Sequence, residues 1–383
     1  MESKHAHANS ERRLGGHAIL RLAIALVALA ALGVGIAAIA HGSDAASSPS
    51  GSGGAGSAPK ALTVVSVSPG NGTSDVPSDA TLSVQFSAPL ALHTSTPTLT
   101  PPVAGSWELV APTTLAFVAT SPLVPSSTET ISVPAGAGGV SAASGNHLTL
   151  ASTTQFTVAA GSTLRLQQLL AQLGYLPLSF TPAGPLSAPQ EAANAQEGTF
   201  NWRWTEPASL EGLWAPGSPN TITRGAVMAF ESHHDLTTDG SPGPAVWTQL
   251  LADAAAGAVN TAPYNYVFVS TSDPETTTVY SDGSNVYSTL ANTGVPAAPT
   301  AAGTFPVFGR YTVTTMSGTN PDGSHYVDPG IPWVSYFNGG DALHGFVRPG
   351  YGYPQSDGCV EMPIANAAAV FPLTPIGTLV TVS

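Results

Sequence analysis

The chain contains one cysteine, Cys359, in 383 residues. A single thiol closes no internal disulfide, and a structural zinc or iron–sulfur site needs more sulfur or a tight Cys/His cluster. Charge is scarce too, with only 9% of residues charged and a net charge of −13. Beyond His41 the only cations are Lys60, Arg165, Arg203, Arg224, Arg310 and Arg348. That excludes the basic footprint that nucleic-acid binding requires. Without disulfides, each domain must hold itself together by core burial. Glycine and proline are plentiful, at 40 and 34 residues, which suits an exported protein rich in β-structure and turns. What one thiol can do is act as a nucleophile, provided a base such as histidine stands nearby.

The N-terminus points to export. Leu22–Ala40 carries no charge, and at about 1.5 Å per residue such a helix spans roughly 28 Å, close to a bilayer core. Lys4, Arg12, Arg13 and Arg21 precede it and should stay in the cytoplasm, so residues 1–18 are read as a cytoplasmic N-terminus. Residues 19–40 are expected to be a transmembrane anchor, giving contact with the membrane. A cleaved signal peptide competes, because Ala38-Ile39-Ala40 resembles a small-residue cleavage site. Residues 41–60 are dominated by Gly, Ser, Ala and Pro and read as a flexible linker of about 25 Å root-mean-square span.

The remainder reads as multidomain and mainly β. Over residues 61–160, short alternating runs such as Thr81–Phe86, Thr114–Val118 and Glu129–Val133 predict a β-sandwich. Its Val67-Ser68-Pro69-Gly70-Asn71-Gly72 and Gly105-Ser106-Trp107 segments resemble bacterial Ig-like domains. In residues 161–261, Leu164, Leu166, Leu169, Leu170 and Leu173 share one helical face and Gly174 supplies the stop. With Gly225–Glu231 and Gly243–Trp247 they resemble a small α-helical peptidoglycan-binding-like domain, interrupted by an insertion over 177–222. His233-His234-Asp235 is a polar helix end rather than a metal site, because adjacent side chains converge poorly on one ion. No metal site and no cofactor are expected.

Residues 262–383 return to strands, with Asp282-Gly283 as a hairpin turn and a short helix over Ala365–Val370. Here Thr293–Val307, Trp333–Phe346 and Tyr351–Pro363 resemble the catalytic domain of L,D-transpeptidases, the YkuD type. His344 and Gly345 match the family's His-Gly, while Ser356, Gly358, Cys359 and Val360 match its Ser/Thr-His-Gly-Cys-hydrophobic motif. Asp357 stands where the family has histidine. The resemblance implies an all-β catalytic domain and a cysteine acyltransferase acting on peptidoglycan stem peptides. The donor would be a stem tetrapeptide, cleaved after its third residue. The acceptor would be the side-chain amine of a neighbouring stem, giving a 3→3 cross-link. Carbapenem-type β-lactams would acylate the same sulfur.

The residue types supply the chemistry. A free thiol has a pKa of about 8.5, so His344 is needed to take its proton. Gly358 lets the chain bend so that backbone N–H groups can face an oxyanion. Ser356, Asp357 and Gly345 are orienting candidates. Asp357 either opposes the thiolate by charge, orients a partner, or only makes a turn. Tyr326, Trp333, Tyr336 and Tyr351 are candidates to line the cleft, with packing favoured for Trp333. Two other functions remain open: an L,D-carboxypeptidase, in which water replaces the acceptor amine, and a non-catalytic wall-binding protein with Cys359 as a small buried hydrophobe.

Overall fold

A computed structural model describes residues 61–383. The expected span over Leu22–Ala40 and the 41–60 linker lie outside the described residues. Among the described residues no helix is long and apolar enough to cross a membrane.

The first segment is a sandwich of two antiparallel sheets. Strands β1 (Val64–Ser68), β2 (Leu82–Phe86), β4 (Gly105–Ala111) and β5 (Thr114–Ala119) pair in the order β1-β2-β5-β4. Strands β3 (Thr98–Thr100), β6 (Thr128–Val133) and β7 (Ser152–Thr157) form the second sheet in the order β3-β6-β7. Alternation sets the inward faces: Leu82, Val84 and Phe86 on β2 and Ile131 and Val133 on β6 join one buried cluster.

The middle segment is built on α1 (Thr163–Gln172), α3 (Thr221–His233) and α4 (Pro244–Ala256). Between α1 and α3 lie the hairpin of β8 (Leu178–Pro182) and β9 (Gly198–Trp202) and the short α2 (Ala208–Glu211). Ser162 caps α1 by accepting from the Arg165 N–H at 3.0 Å, and Asn220 caps α3 in the same way through Thr223 at 2.9 Å. His233 and His234, at the end of α3, meet Tyr175 and Asp253: His233 Nδ1 is 2.5 Å from the tyrosine hydroxyl and His234 Nε2 is 3.0 Å from the carboxylate.

The last segment contains a five-stranded sheet and a four-stranded sheet. The first comprises β10 (Asn265–Ser270), β11 (Thr276–Ser281), β12 (Ser284–Leu290), β13 (Gly303–Pro306) and β18 (Leu379–Val382), in the order β12-β11-β10-β18-β13. The second comprises β14 (Gly309–Thr319), β15 (His325–Asn338), β16 (Asp341–Gly345) and β17 (Val360–Met362), in chain order. Helix α5 (Ile364–Val370) follows directly after Pro363.

The five-stranded sheet is covered on both faces. Strands β10 and β18 run parallel at its centre, and their residues alternate between two cores. Tyr266 and Leu379 pack into a cluster with α1, α3 and α4, where Trp247 and Phe230 are fully buried. Val267, Val269, Val380 and Val382 face the opposite way, toward Phe337, Leu343 and α5. The middle segment therefore shares its core with the five-stranded sheet. The seam is tight enough to require two glycines: a Cβ on Gly225 of α3 would sit 2.6 Å from the Gly377 carbonyl, and one on Gly377 would meet α3 in turn.

Candidate active site

Cys359 directly precedes β17, which runs parallel to β16, so that Leu343 pairs with Val360 and His344 with Glu361. The other side of this segment is also held. Asn292 and Glu361 exchange two backbone hydrogen bonds at 2.9 Å, and the Val295 N–H donates to Ser356 O at 2.8 Å. Below them, Thr293 donates from its backbone and its hydroxyl to the buried Glu275 carboxylate, each at 2.6 Å. The thiol-bearing stretch is thus clamped between β16 and the 292–295 strip, which limits its freedom before any substrate arrives.

His344 and Cys359 line one narrow cleft of about 110 Å³, with Ser356 and Asp357 at its edge. Tyr326, Asp328 and Ile331 of β15 form the facing wall. His344 is 3% exposed. Its Nδ1 lies 3.1 Å from the Gly345 carbonyl oxygen, which can only accept, so Nδ1 carries the proton and Nε2 is left as the basic nitrogen. The sulfur lies 3.6 Å from the Gly340 carbonyl, and beneath it Met316, Val334 and Ala342 make a small apolar floor.

Burial sets the electrostatics. It pushes the Cys359 thiol up to about 12, with Asp341, Glu361 and Asp357 adding to the effect and a backbone hydrogen bond opposing it. Burial also lowers His344 below its ordinary 6.5. Both shifts favour a neutral thiol beside a neutral imidazole over a resting thiolate–imidazolium pair.

Several residues expected around the thiol have distinct placements. Gly358 adopts φ +113°, and a Cβ there would fall 2.7 Å from Asp341 Oδ1. Its N–H donates to Ser356 Oγ at 3.3 Å, while that hydroxyl donates to Cys359 O at 2.5 Å. Ser356 therefore organises the turn. Asp357 is exposed at the cleft mouth. Tyr326 lines the cleft and Tyr336 packs in the apolar cluster beside Cys359, where burial and then the neighbouring sulfur raise both phenols. Trp333 packs instead against Phe371 and the main core. Tyr351 braces the 346–355 loop by donating to Phe346 O at 2.5 Å.

Three participants had no signal in the sequence. Asp341 lies under the Gly358 turn and accepts from the Ala301 N–H at 3.1 Å. Arg348 and Glu361 form an ion pair along one edge of the cleft. Asp341 and Glu361 flank the two motifs and Arg348 lies in the loop between them, but only the folding of that loop and the pairing of β16 with β17 bring the three to one site.

Comparison with known proteins identifies two segments of the chain. The family model for the L,D-transpeptidase catalytic domain matches residues 264–382, and that for a bacterial Ig-like domain matches residues 58–158. Neither model covers residues 159–263, so the expected peptidoglycan-binding-like identity of the helical segment is without support. No curated protein matches. Among solved structures, the E. faecium L,D-transpeptidase catalytic domain is 27% identical, covering 32% of this chain and 100% of its own, with a TM-score of 0.29. L,D-transpeptidase 3 from Mycobacterium tuberculosis, in complex with a faropenem-derived adduct, is 15% identical, covering 84% and 97%, with a TM-score of 0.29. LD transpeptidase LdtMt1 in complex with imipenem is 14% identical, covering 85% and 100%, with a TM-score of 0.29. The chain thus carries an L,D-transpeptidase catalytic domain, preceded by a bacterial Ig-like domain.

Proposed function

We propose that the C-terminal domain is an exported peptidoglycan L,D-transpeptidase that forms 3→3 cross-links through a thioester on Cys359. The observation that carries this reading is the shared cleft of Cys359 and His344, with the imidazole tautomer held by the Gly345 carbonyl.

Because the resting pair is neutral, proton transfer accompanies attack. His344 Nε2 takes the thiol proton as sulfur bonds to the carbonyl carbon of the donor stem. The Gly358 N–H is held by Ser356 Oγ, so the backbone N–H groups of Asp357 and Cys359 would meet the oxyanion. The C–N bond breaks, the imidazolium proton leaves with the amine of the terminal D-amino acid, and the third residue stays on sulfur as a thioester. An acceptor side-chain amine then attacks; His344 removes its proton and returns one to the sulfur as the C–S bond breaks. A carbapenem presents a strained amide to the same sulfur, and ring opening would leave it acylated.

Incubating the protein with disaccharide-tetrapeptide and weighing the products tests this. Cross-linked dimer supports transpeptidation. Tripeptide without dimer would assign hydrolysis instead, and turnover no different from Cys359→Ala rejects catalysis by this thiol.

A further inference from the structure

One arginine ties down the loop between His344 and Cys359. Arg348 donates from Nε to Glu361 Oε2 at 2.7 Å and from Nη2 to Oε1 at 2.8 Å. The same Nη2 reaches the Gln355 carbonyl at 3.2 Å, directly before Ser356. Its guanidinium sits 4.7 Å from the centroid of Phe346, whose ring stands edge-on to His344 at 6.1 Å. The Arg348 backbone N–H also donates to Tyr351 Oη at 3.1 Å. Glu361 is 4% exposed and lies in register with His344.

A buried carboxylate without its cation is costly, and its field would oppose a thiolate while favouring an imidazolium. Glu361 acts on both reacting groups in that sense, and Arg348 acts on His344 in the opposite sense. Geometry and charge therefore converge on one side chain at the edge of the cleft.

We propose that Arg348 is a positioning residue for the Cys359–His344 pair, locking the 346–356 loop onto β17 and cancelling the Glu361 charge beneath the reacting atoms. The proposal rests on Cys359 being the nucleophile. It assigns Arg348 two separable effects. Losing the two-point clamp releases the Gln355 carbonyl and unties the 346–355 loop from Glu361, while Thr293 and Val295 still hold the backbone of Gln355 and Ser356, so the Cys359 turn loosens on the loop side alone. Losing the charge balance lowers the thiolate fraction.

The test uses the full chain and two readouts: acylation of Cys359 by imipenem, followed by intact mass, and alkylation by iodoacetamide at pH 8, whose rate tracks the thiolate fraction. Arg348→Gln is expected to slow both by about tenfold, one pKa unit's worth for the alkylation. Arg348→Gln combined with Glu361→Gln removes both charges and should restore alkylation to within about threefold of wild type, while acylation stays slow because the clamp is gone. Arg348→Lys keeps the charge but not the fork, so alkylation should hold and acylation should fall. Wild-type alkylation in Arg348→Gln, or a double variant no faster than the single, overturns the proposal. If wild-type sulfur alkylates but imipenem never acylates it, the functional reading fails while the alkylation series still decides the role of Arg348. Circular dichroism checks folding, and if Arg348→Gln does not fold, Arg348→Lys together with Glu361→Gln carries the comparison. Slowed alkylation in both of those would overturn it equally.

Discussion

His344 and Cys359 reach one cleft from adjacent parallel strands, the histidine from within β16 and the thiol from the residue before β17. Parallel neighbours keep a fixed offset along their length, so the imidazole and the sulfur are set by the ladder rather than by a mobile loop.

The burial of His344 has a kinetic consequence. In the proposed reaction His344 must be neutral to accept the thiol proton, and burial lowers its pKa below 6.5. Activity should therefore be lost only as pH falls below the ordinary histidine range. A pH profile of kcat/KM is expected to show its acidic limb under 6.5, and a limb at or above 7 would contradict a buried, neutral base.

Gly358 is expected to be intolerant of any side chain. Alanine there would have to adopt φ +113° and bring a Cβ to 2.7 Å from the Asp341 carboxylate. Gly358→Ala should cost about 1–3 kcal/mol of stability and at least about 100-fold in acylation, since the turn carrying the sulfur must shift. Denaturant unfolding and imipenem acylation measure the two separately.

Asp357 is exposed, and its charge disfavours the thiolate less than Asp341 and Glu361 do. Asp357→Asn should raise iodoacetamide reactivity by about two- to threefold at low salt, and the gain should shrink in about 1 M salt because an exposed charge is screened. An unchanged rate at both salt levels would remove Asp357 from the electrostatics of the thiol.

The middle segment should weaken as pH rises. Glu231 is fully buried and pushed up to about 7, and Glu206, with both carboxylate oxygens lacking a protein hydrogen-bond partner, is pushed up to about 6. An acid with a raised pKa binds more protons folded than unfolded, so stability falls from about pH 4.5 upward and levels off above about pH 7. Thermal melts of wild type should show that slope, and Glu231→Gln, which keeps an acceptor for the Gly240 N–H, should flatten it. Parallel curves for the two proteins would show that Glu231 does not carry the effect.

Much of this architecture is legible in local patterns. Alternation marked β2, β5 and β6, the leucine spacing marked α1, and Asp282-Gly283 marked the hairpin, where both residues take positive φ of 49° and 73°. Strand β17 was missed because three residues carry no periodicity, and their pairing is parallel and non-local. The full length of β14 and β15 was missed because the hairpin runs well past its apolar stretch, with Val313 and Val327 exposed on its surface.

The sequence by itself determined the chemistry on offer: one thiol, one His-Gly, one glycine able to turn the chain, and strands to carry them. Short-range patterns encode those choices because side-chain type and local conformation are properties of neighbouring residues. Only the tertiary structure decided how those groups are tuned. It placed Glu361 beside His344, supplied Arg348 from across a loop, and set Asp341 under Gly358. It also laid the helical segment against the five-stranded sheet, with Gly225 and Gly377 at the seam. Burial, with Asp341, Glu361 and Asp357 adding to it, sets how readily Cys359 gives up its proton, and that burial cannot be read from any local stretch of sequence.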